Sequence, residues 1–494
     1  TGVLPLDGLT NSNDGKGHSV HATIALGFAD SLASSRKVAA ASLIAGSAKA
    51  TKSFRSGWQG YFKKVVHTPA SVKSAAEKRA YRASVMVLAA SEDKDNPGAF
   101  IASPTLPWDW ASNSNLSGGA TGYHAVWARD EYQMATAMAA LGDRAAAVRA
   151  VRFLFDVQQK TTGGFPQNSS VDGIPTATAV QLDQVALPIV LAQQLGITDG
   201  TTWSEIKSAA DYLIGYNQGG VTAPASGQER WEEQSGYSPS TLAAEIAGLV
   251  CAADIAGINS DSTSQSRYLA KADEWASKVK TWTATTTGAY SKLPYFIRLS
   301  KGGDPNSGTT FDIGNGGGHV DPRNVVDAGF LELVRLGIMS PNDATIVNTL
   351  RVVDRRIART INKLTYFYRY TKDGYGESAD GSPWSTSGGT RGRLWPLLSG
   401  ERGEYALLAG HSGAPQLAAM AAAATSTYLI PEQVWDSSAP AGTGGRAPGS
   451  PSASATPLGW SHAQFIRLAW GISNGSPVEY PRVVACHFLH RCAK

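Results

Sequence analysis

Helical periodicity recurs from residue 71 to residue 472 with few strand signals between, and this recurrence constrains the fold more than any other feature. Apolar positions at three- and four-residue spacing mark segments 71–90, 130–141, 144–158, 180–195, 203–216, 238–256, 264–282, 324–336, 342–361, 404–409, 414–428 and 457–472. About a dozen helices, joined by long Gly-rich loops such as TGGFPQNSSVDGIP and SADGSPWSTSGGTRGR, predict an all-α fold. Helices paired in sequence, with their loops gathered at one end, suggest an α/α toroid whose mouth is made of those loops. Long ordered loops usually carry function, so the mouth is where chemistry is expected. Outside this pattern, residues 18–26 alternate like a lone strand, residues 31–65 read as a helical connector, and residues 482–488 read as an edge strand. The run Gly314 to His319, GNGGGH, lacks the Lys of a phosphate loop and a preceding strand, and reads as a flexible loop.

Charge and composition exclude several classes. The 44 basic and 40 acidic residues are scattered without a long basic run, so there is no electrostatic footprint for nucleic acid. No run of 18 or more apolar residues occurs, so no membrane span is expected. The chain begins at Thr1 without a signal peptide, so a preceding segment is expected to have been removed or left out. Of three cysteines, Cys251 lies in an apolar helical pattern, whereas Cys486 and Cys492 are spaced to close a small loop in an oxidising compartment or to stay reduced otherwise. No histidine or cysteine cluster has metal-ligand spacing, and His462 reads as a packed helix residue. No cofactor is expected, although loop oxygens leave room for a structural Ca²⁺.

The segment GQERWEEQSGYSPSTLAAEIAGL, residues 227–249, places Glu232 and Glu233 behind Trp231 in a polar loop that runs into an apolar helix. A carboxylic acid that must donate a proton near neutrality needs its charged form disfavoured, and an indole face and a like-charged neighbour both do this. With a second carboxylate across a sugar, such a group forms half of a glycoside-hydrolysing pair.

Ten ordered motifs, among them YHAVWARDEYQMA, QLDQVALPI, QERWEEQSGYSPS, DGYGE, IPEQVWD and ATPLGWSHAQFIRLAW, resemble the glucoamylase and glucodextranase family, glycoside hydrolase family 15, in its bacterial branch. The resemblance covers nearly everything from Trp58 onward. It implies an (α/α)6 barrel over residues 66–494, a helical linker over 31–65, and, in residues 1–30, the remnant strand of a truncated N-terminal β-sandwich. It further implies an extracellular, monomeric, inverting exo-hydrolase that releases β-glucose from the non-reducing ends of α-glucans. On this resemblance Glu232 is the general acid, Trp231 and Glu233 line neighbouring sugar sites, and Trp127, Arg129 and Asp130 hold the terminal glucose, with Arg323 a further contact. A fixed guanidinium fork and a carboxylate suit recognition of free sugar hydroxyls. Glu401, Arg402 and Glu404 in GERGEY read instead as a structural ion-pair cluster.

One position departs from the family. The stretch expected to carry the general base reads PGSPSASATPLGW, residues 448–460, with Ser450 in the place of the base and no acid between Ser437 and Val478. A serine hydroxyl cannot take a proton from water near neutrality without a base of its own. Three readings stay open: an altered loop in an active enzyme, a slow enzyme or sugar-binding pseudoenzyme, and a carboxylate supplied from elsewhere, such as Asp436 or Glu377. Helical toroids also host polysaccharide lyases, so chemistry has to be argued from the site.

Overall fold

The computed structural model describes residues 11–13, 18–20, 23–109, 122–385, 390–437 and 446–492. The chain divides into two compact units, residues 1–67 and 68–494. In the first, a two-stranded antiparallel hairpin pairs Asn11–Asn13 with His18–Val20. The strand expected over 18–26 is therefore shorter and has a partner, because the pairing ends at Val20 and residues 23–28 form no ladder. Two helices follow, α1 (Leu32–Ala45), capped by Ser31, and α2 (Ser47–Lys64). Neither buries a residue, and Phe28, Leu32, Ile44 and Phe54 are exposed.

The second unit is an (α/α)6 barrel. Its inner ring comprises α4 (Ala128–Leu141), α6 (Leu182–Gln194), α8 (Pro239–Ile258), α10 (Glu332–Arg335), α12 (Pro396–Leu408) and α14 (Gly459–Asn474). Each packs on the next, and α14 closes the ring onto α4. Alternating with them along the chain are α3 (Ala75–Ser91), α5 (Arg144–Arg152), α7 (Gly200–Gly215), α9 (Ser262–Thr283), α11 (Ala344–Arg356) and α13 (Ala414–Ala422). The inner helices are buried on nearly every side by their neighbours, with α6 and α8 almost wholly apolar and α4, α10, α12 and α14 carrying buried charges. Among the described residues α8 alone is long and apolar enough to cross a membrane, and most of it is buried inside the ring.

Capping chemistry separates the two rings. Outer helices α3, α5, α7, α9 and α11 start at Ser74, Asp143, Asp199, Asp261 and Asp343, whose side chains accept the orphan amides of the first turn. The inner helices have no side-chain cap, and four of them start at Trp127, Gln181, Trp395 and Leu458. The N-termini of α4, α12 and α14 open onto one cavity, so their positive dipole ends converge there.

Two expectations change. Residues 324–336 are not one helix: a 3₁₀ turn, Gly329–Leu331, leads into the four-residue α10, because Asp327 accepts the Gly329 amide and keeps the preceding chain a loop. Residues 482–488 form a helix, α15 (Arg482–Leu489), which follows Pro481 and packs on α8 with no strand beside it. Cys486 and Cys492 are disulfide-bonded, and Cys251 is buried and free.

Candidate active site

Side chains from the mouth ends of the inner helices surround a cavity of about 300 Å³. The start of α4 brings Trp127, Arg129 and Asp130 to it, and the loop before α8 brings Arg230, Trp231, Glu232 and Glu233. Trp395 and Trp460, at the starts of α12 and α14, build a wall with Trp231, which stacks on Trp460 and meets Trp395 edge-on. The Trp231 indole N–H donates to Asp327 at 3.2 Å, which fixes the wall. Glu232 occupies a tight turn with φ 69°, its amide donating to Glu229 O at 2.8 Å. Holding a non-glycine residue there costs about 1–2 kcal/mol, offset by the bonds its carboxylate makes.

The two adjacent glutamates are held differently. Glu232 Oε1 accepts from Arg129 Nη2 at 2.7 Å and Oε2 from Gln167 Nε2 at 2.9 Å, while its side chain keeps 27% exposure. Glu233 is clamped by Arg298 and Arg369, each at 2.7 Å, and by Tyr370 and Asn315. Burial pushes the Glu233 carboxyl up, against the opposing charges of Arg369 and Arg298. With every oxygen engaged by fixed donors, Glu233 shapes the wall and Glu232 faces the space. The other arm of Arg129 donates to Gln181 Oε1 at 2.7 Å and Asp183 Oδ2 at 3.1 Å. Beside it, burial pushes Asp130 up to about 7, Arg129 opposing. Trp127 Nε1 is buried with no partner among the described residues, and Asp130 is buried at the start of α4 beside Arg129.

Besides Asp130, Glu232 and Glu233, the carboxylate that lines the cavity is Glu432, and residues 448–455 contribute nothing to its lining. Ser450 does not line the cavity; its Oγ donates to Ala447 O at 2.6 Å. The loop around it supplies backbone: Trp435 N donates to Ser450 O at 2.9 Å, Ser452 N to Gln433 O at 3.0 Å and Glu432 N to Ala455 O at 2.8 Å. It therefore braces the extended segment that presents Glu432. Asp436 is taken by Arg391 and Arg393, and Glu377 by Arg446 and the Ala453 amide, and neither lines the cavity. Glu432 is 1% exposed, with Oε1 accepting from Tyr123 OH at 2.7 Å and Oε2 from Gln433 Nε2 at 3.3 Å. Burial pushes it up to about 7, against the Tyr123 hydrogen bond and the Arg369 charge.

Arg323 is also misplaced by the resemblance. Its guanidinium pairs with Asp321 at 2.7 Å and lies outside the cavity lining, because the turn that carries it folds back on Asp321. Arg369, four residues before Asp373 and paired with it, lines the cavity instead. Residues 314–319 are not a free loop: strands Phe311–Asp312 and His319–Val320 pair, and Asn315 at the turn reaches the Glu233 carboxylate. Tyr123, Gln167 and Glu432 fall in segments that carry sequence signals and Asn315 in a glycine-rich run, whereas Arg369 has no local signal. The GERGEY acids are structural as expected, Glu401 pairing with Arg230 and Arg335, and Glu404 with Arg335 and Arg467. His462 is packed between Ser84 Oγ and the Ile430 amide, and burial pushes it down to about 3, so it is neutral. Among the described residues no group of three or more His, Cys, Asp or Glu is placed to hold a metal ion.

The family model described as Glycosyl hydrolases family 15 matches residues 75–166 and 157–470. The chain belongs to glycosyl hydrolases family 15. A glucoamylase from Clostridium sp. (strain G0005) is 44% identical over 388 residues, covering 78% of this chain and 52% of that protein. A crystal structure of a bacterial glucoamylase complexed with acarbose superposes with a TM-score of 0.82 at 37% identity, covering 94% of this chain and 64% of that one. The glucoamylase from Saccharomycopsis fibuligera shares the fold, with a TM-score of 0.57 at 16% identity over 83% of this chain and 97% of that one. The chain spans about half the length of the Clostridium relative it matches.

Proposed function

We propose that the chain is an inverting exo-acting α-glucoside hydrolase of the glucoamylase or glucodextranase type, with Glu232 as general acid and Glu432 as general base. The observation that carries this is one cavity lined by Asp130, Glu232, Glu233 and Glu432, in which the Glu232 side chain is 27% exposed, Glu233 is clamped by two arginines, and Glu432 is 1% exposed. In an exo-hydrolase the leaving chain exits through the mouth, so the group that protonates its oxygen stands on the open side. The attacking water arrives in line from the enclosed side, where Glu432 is buried. Glu232 protonates the glycosidic oxygen as the bond breaks and positive charge grows on the ring. Glu432, ionised, takes a proton from the water as it adds to the sugar, and an α-link yields β-glucose. Asp130, Trp127 and Arg129 hold the terminal sugar, and Trp231 and Glu233 shape the adjoining site. Two carboxylates suffice for this chemistry, which calls on no cofactor.

The pseudoenzyme alternative rested on a missing base, and with Glu432 in the cavity it loses the observation that motivated it. The Cys486–Cys492 disulfide supports an extracellular setting. Proton NMR of the first turnovers on maltose, isomaltose and dextran tests the reading. β-Glucose is expected; α-glucose, unsaturated products or no glucose from any of the three would refute it.

A further inference from the structure

Glu245 is a buried acid that the proposed chemistry does not use. It lies on α8 between Leu242 and Ile246, is fully buried, and both its carboxyl oxygens lack a donor among the described residues. Burial holds it well above the usual carboxylate range, and the one charged neighbour that acts on it, Asp183, pushes it the same way. No cation compensates, so the group is a neutral carboxylic acid with one proton to donate. Its place in the barrel follows from the packing of α6 and α8, which both run inward from the mouth. Their backbones come so close at Gly248 that a Cβ there would stand 3.0 Å from the Cβ of Ala186. One turn nearer the mouth, three residues before each of these, stand Glu245 on α8 and Asp183 on α6.

Asp183 uses its oxygens unequally. Oδ2 accepts from Arg129 Nη1 at 3.1 Å, while Oδ1 is buried and has no donor. We propose that Glu245 is a positioning residue: as a neutral acid it donates its O–H to Asp183 Oδ1, so Asp183 offers only Oδ2 to Arg129. The other arm of the guanidinium is thereby left on Glu232, at 2.7 Å. Without that donor, Asp183 turns its second oxygen toward Arg129 as well and competes with Glu232 for the guanidinium. Arg129 is then drawn off the acid. The other charged groups on this side are Arg129 and Asp130 of α4, and Glu332 of α10, which is paired with Arg230. The residues that α7, α9 and α15 bury are uncharged.

The inference rests on Glu232 being the acid, and the test separates the two claims. Glu245→Gln keeps a neutral donor, so its pH–kcat profile should match the wild type. Glu245→Leu removes the donor while filling the space; its basic limb should move to higher pH by about half a unit to one unit, a fraction of what a directly adjacent charge does. Infrared difference spectra of wild type minus Glu245→Gln at neutral pH should show the carbonyl stretch of a protonated carboxyl, a readout independent of turnover. A carboxylate band there, a Glu245→Leu profile identical to wild type, or equal damage from both variants would overturn the proposal. If Glu232→Gln stays fully active while the protonated band is present, the acid assignment fails and the neutral state of Glu245 stands.

Discussion

Tyr123→Phe isolates the tuning of the base. The Tyr123 hydroxyl is the only side-chain donor to Glu432 Oε1 among the described residues, at 2.7 Å, and Tyr375 OH bonds Tyr123 at 2.5 Å without reaching Glu432. That bond favours the ionised carboxylate. A hydrogen bond to a charged group contributes about 1.5–3 kcal/mol, and a pKa unit corresponds to about 1.4 kcal/mol. Its removal should therefore raise Glu432 by roughly one to two units above the value of about 7 that burial produces. Because the base acts only when ionised, a higher pKa means that activity is lost sooner as pH falls. The acid limb of kcat/KM, which reports the free enzyme, should thus move to higher pH by roughly one to two units. Glucose release from maltose across the pH range, with folding checked by circular dichroism, measures this. An acid limb that stays in place, or moves to lower pH, refutes the claim that Tyr123 holds the base ionised.

Three further outcomes are expected. Glu232→Gln should lower kcat by roughly 10²- to 10⁴-fold, and turnover at the wild-type rate would rule it out as the acid. Ser450→Glu and Arg323→Ala, both outside the cavity, should leave kcat/KM within about threefold of wild type, as surface changes usually do; a large gain from the first or loss from the second would restore them to the site. Glu401→Gln strips a charge from a fully buried partner of Arg230 and Arg335, which typically costs about 3–5 kcal/mol, so the melting temperature should fall clearly, and an unchanged melting temperature would contradict a structural role.

Local chemistry made much of the barrel readable. Asp143, Asp199, Asp261 and Asp343 are side-chain caps, so the outer helices announce their starts, whereas inner helices α4, α6, α12 and α14 begin at Trp, Gln, Trp and Leu and give no such signal. Glu232 was readable because Trp231 and Glu233 adjoin it and Ser238 and Pro239 open a helix just beyond. Glu432 was not, since an extended segment has no helical period and its environment comes from Tyr123 and Arg369, far away in sequence. The same holds for Asn315, whose glycine-rich neighbours look like mere flexibility until the hairpin brings it to Glu233. Ser450 belongs to the loop that braces Glu432 through its backbone, and bracing of that kind leaves no trace in side-chain chemistry.

The central claim is that Glu432 is the partner of Glu232, and parallel initial rates of glucose release from maltose by the wild type and Glu432→Gln test it most directly. Glu432→Gln keeps the volume and the Tyr123 contact but cannot accept the water's proton. The account predicts measurable turnover by the wild type and a fall of roughly 10²- to 10⁴-fold in the folded variant. A Glu432→Gln enzyme that releases glucose at the wild-type rate would contradict it.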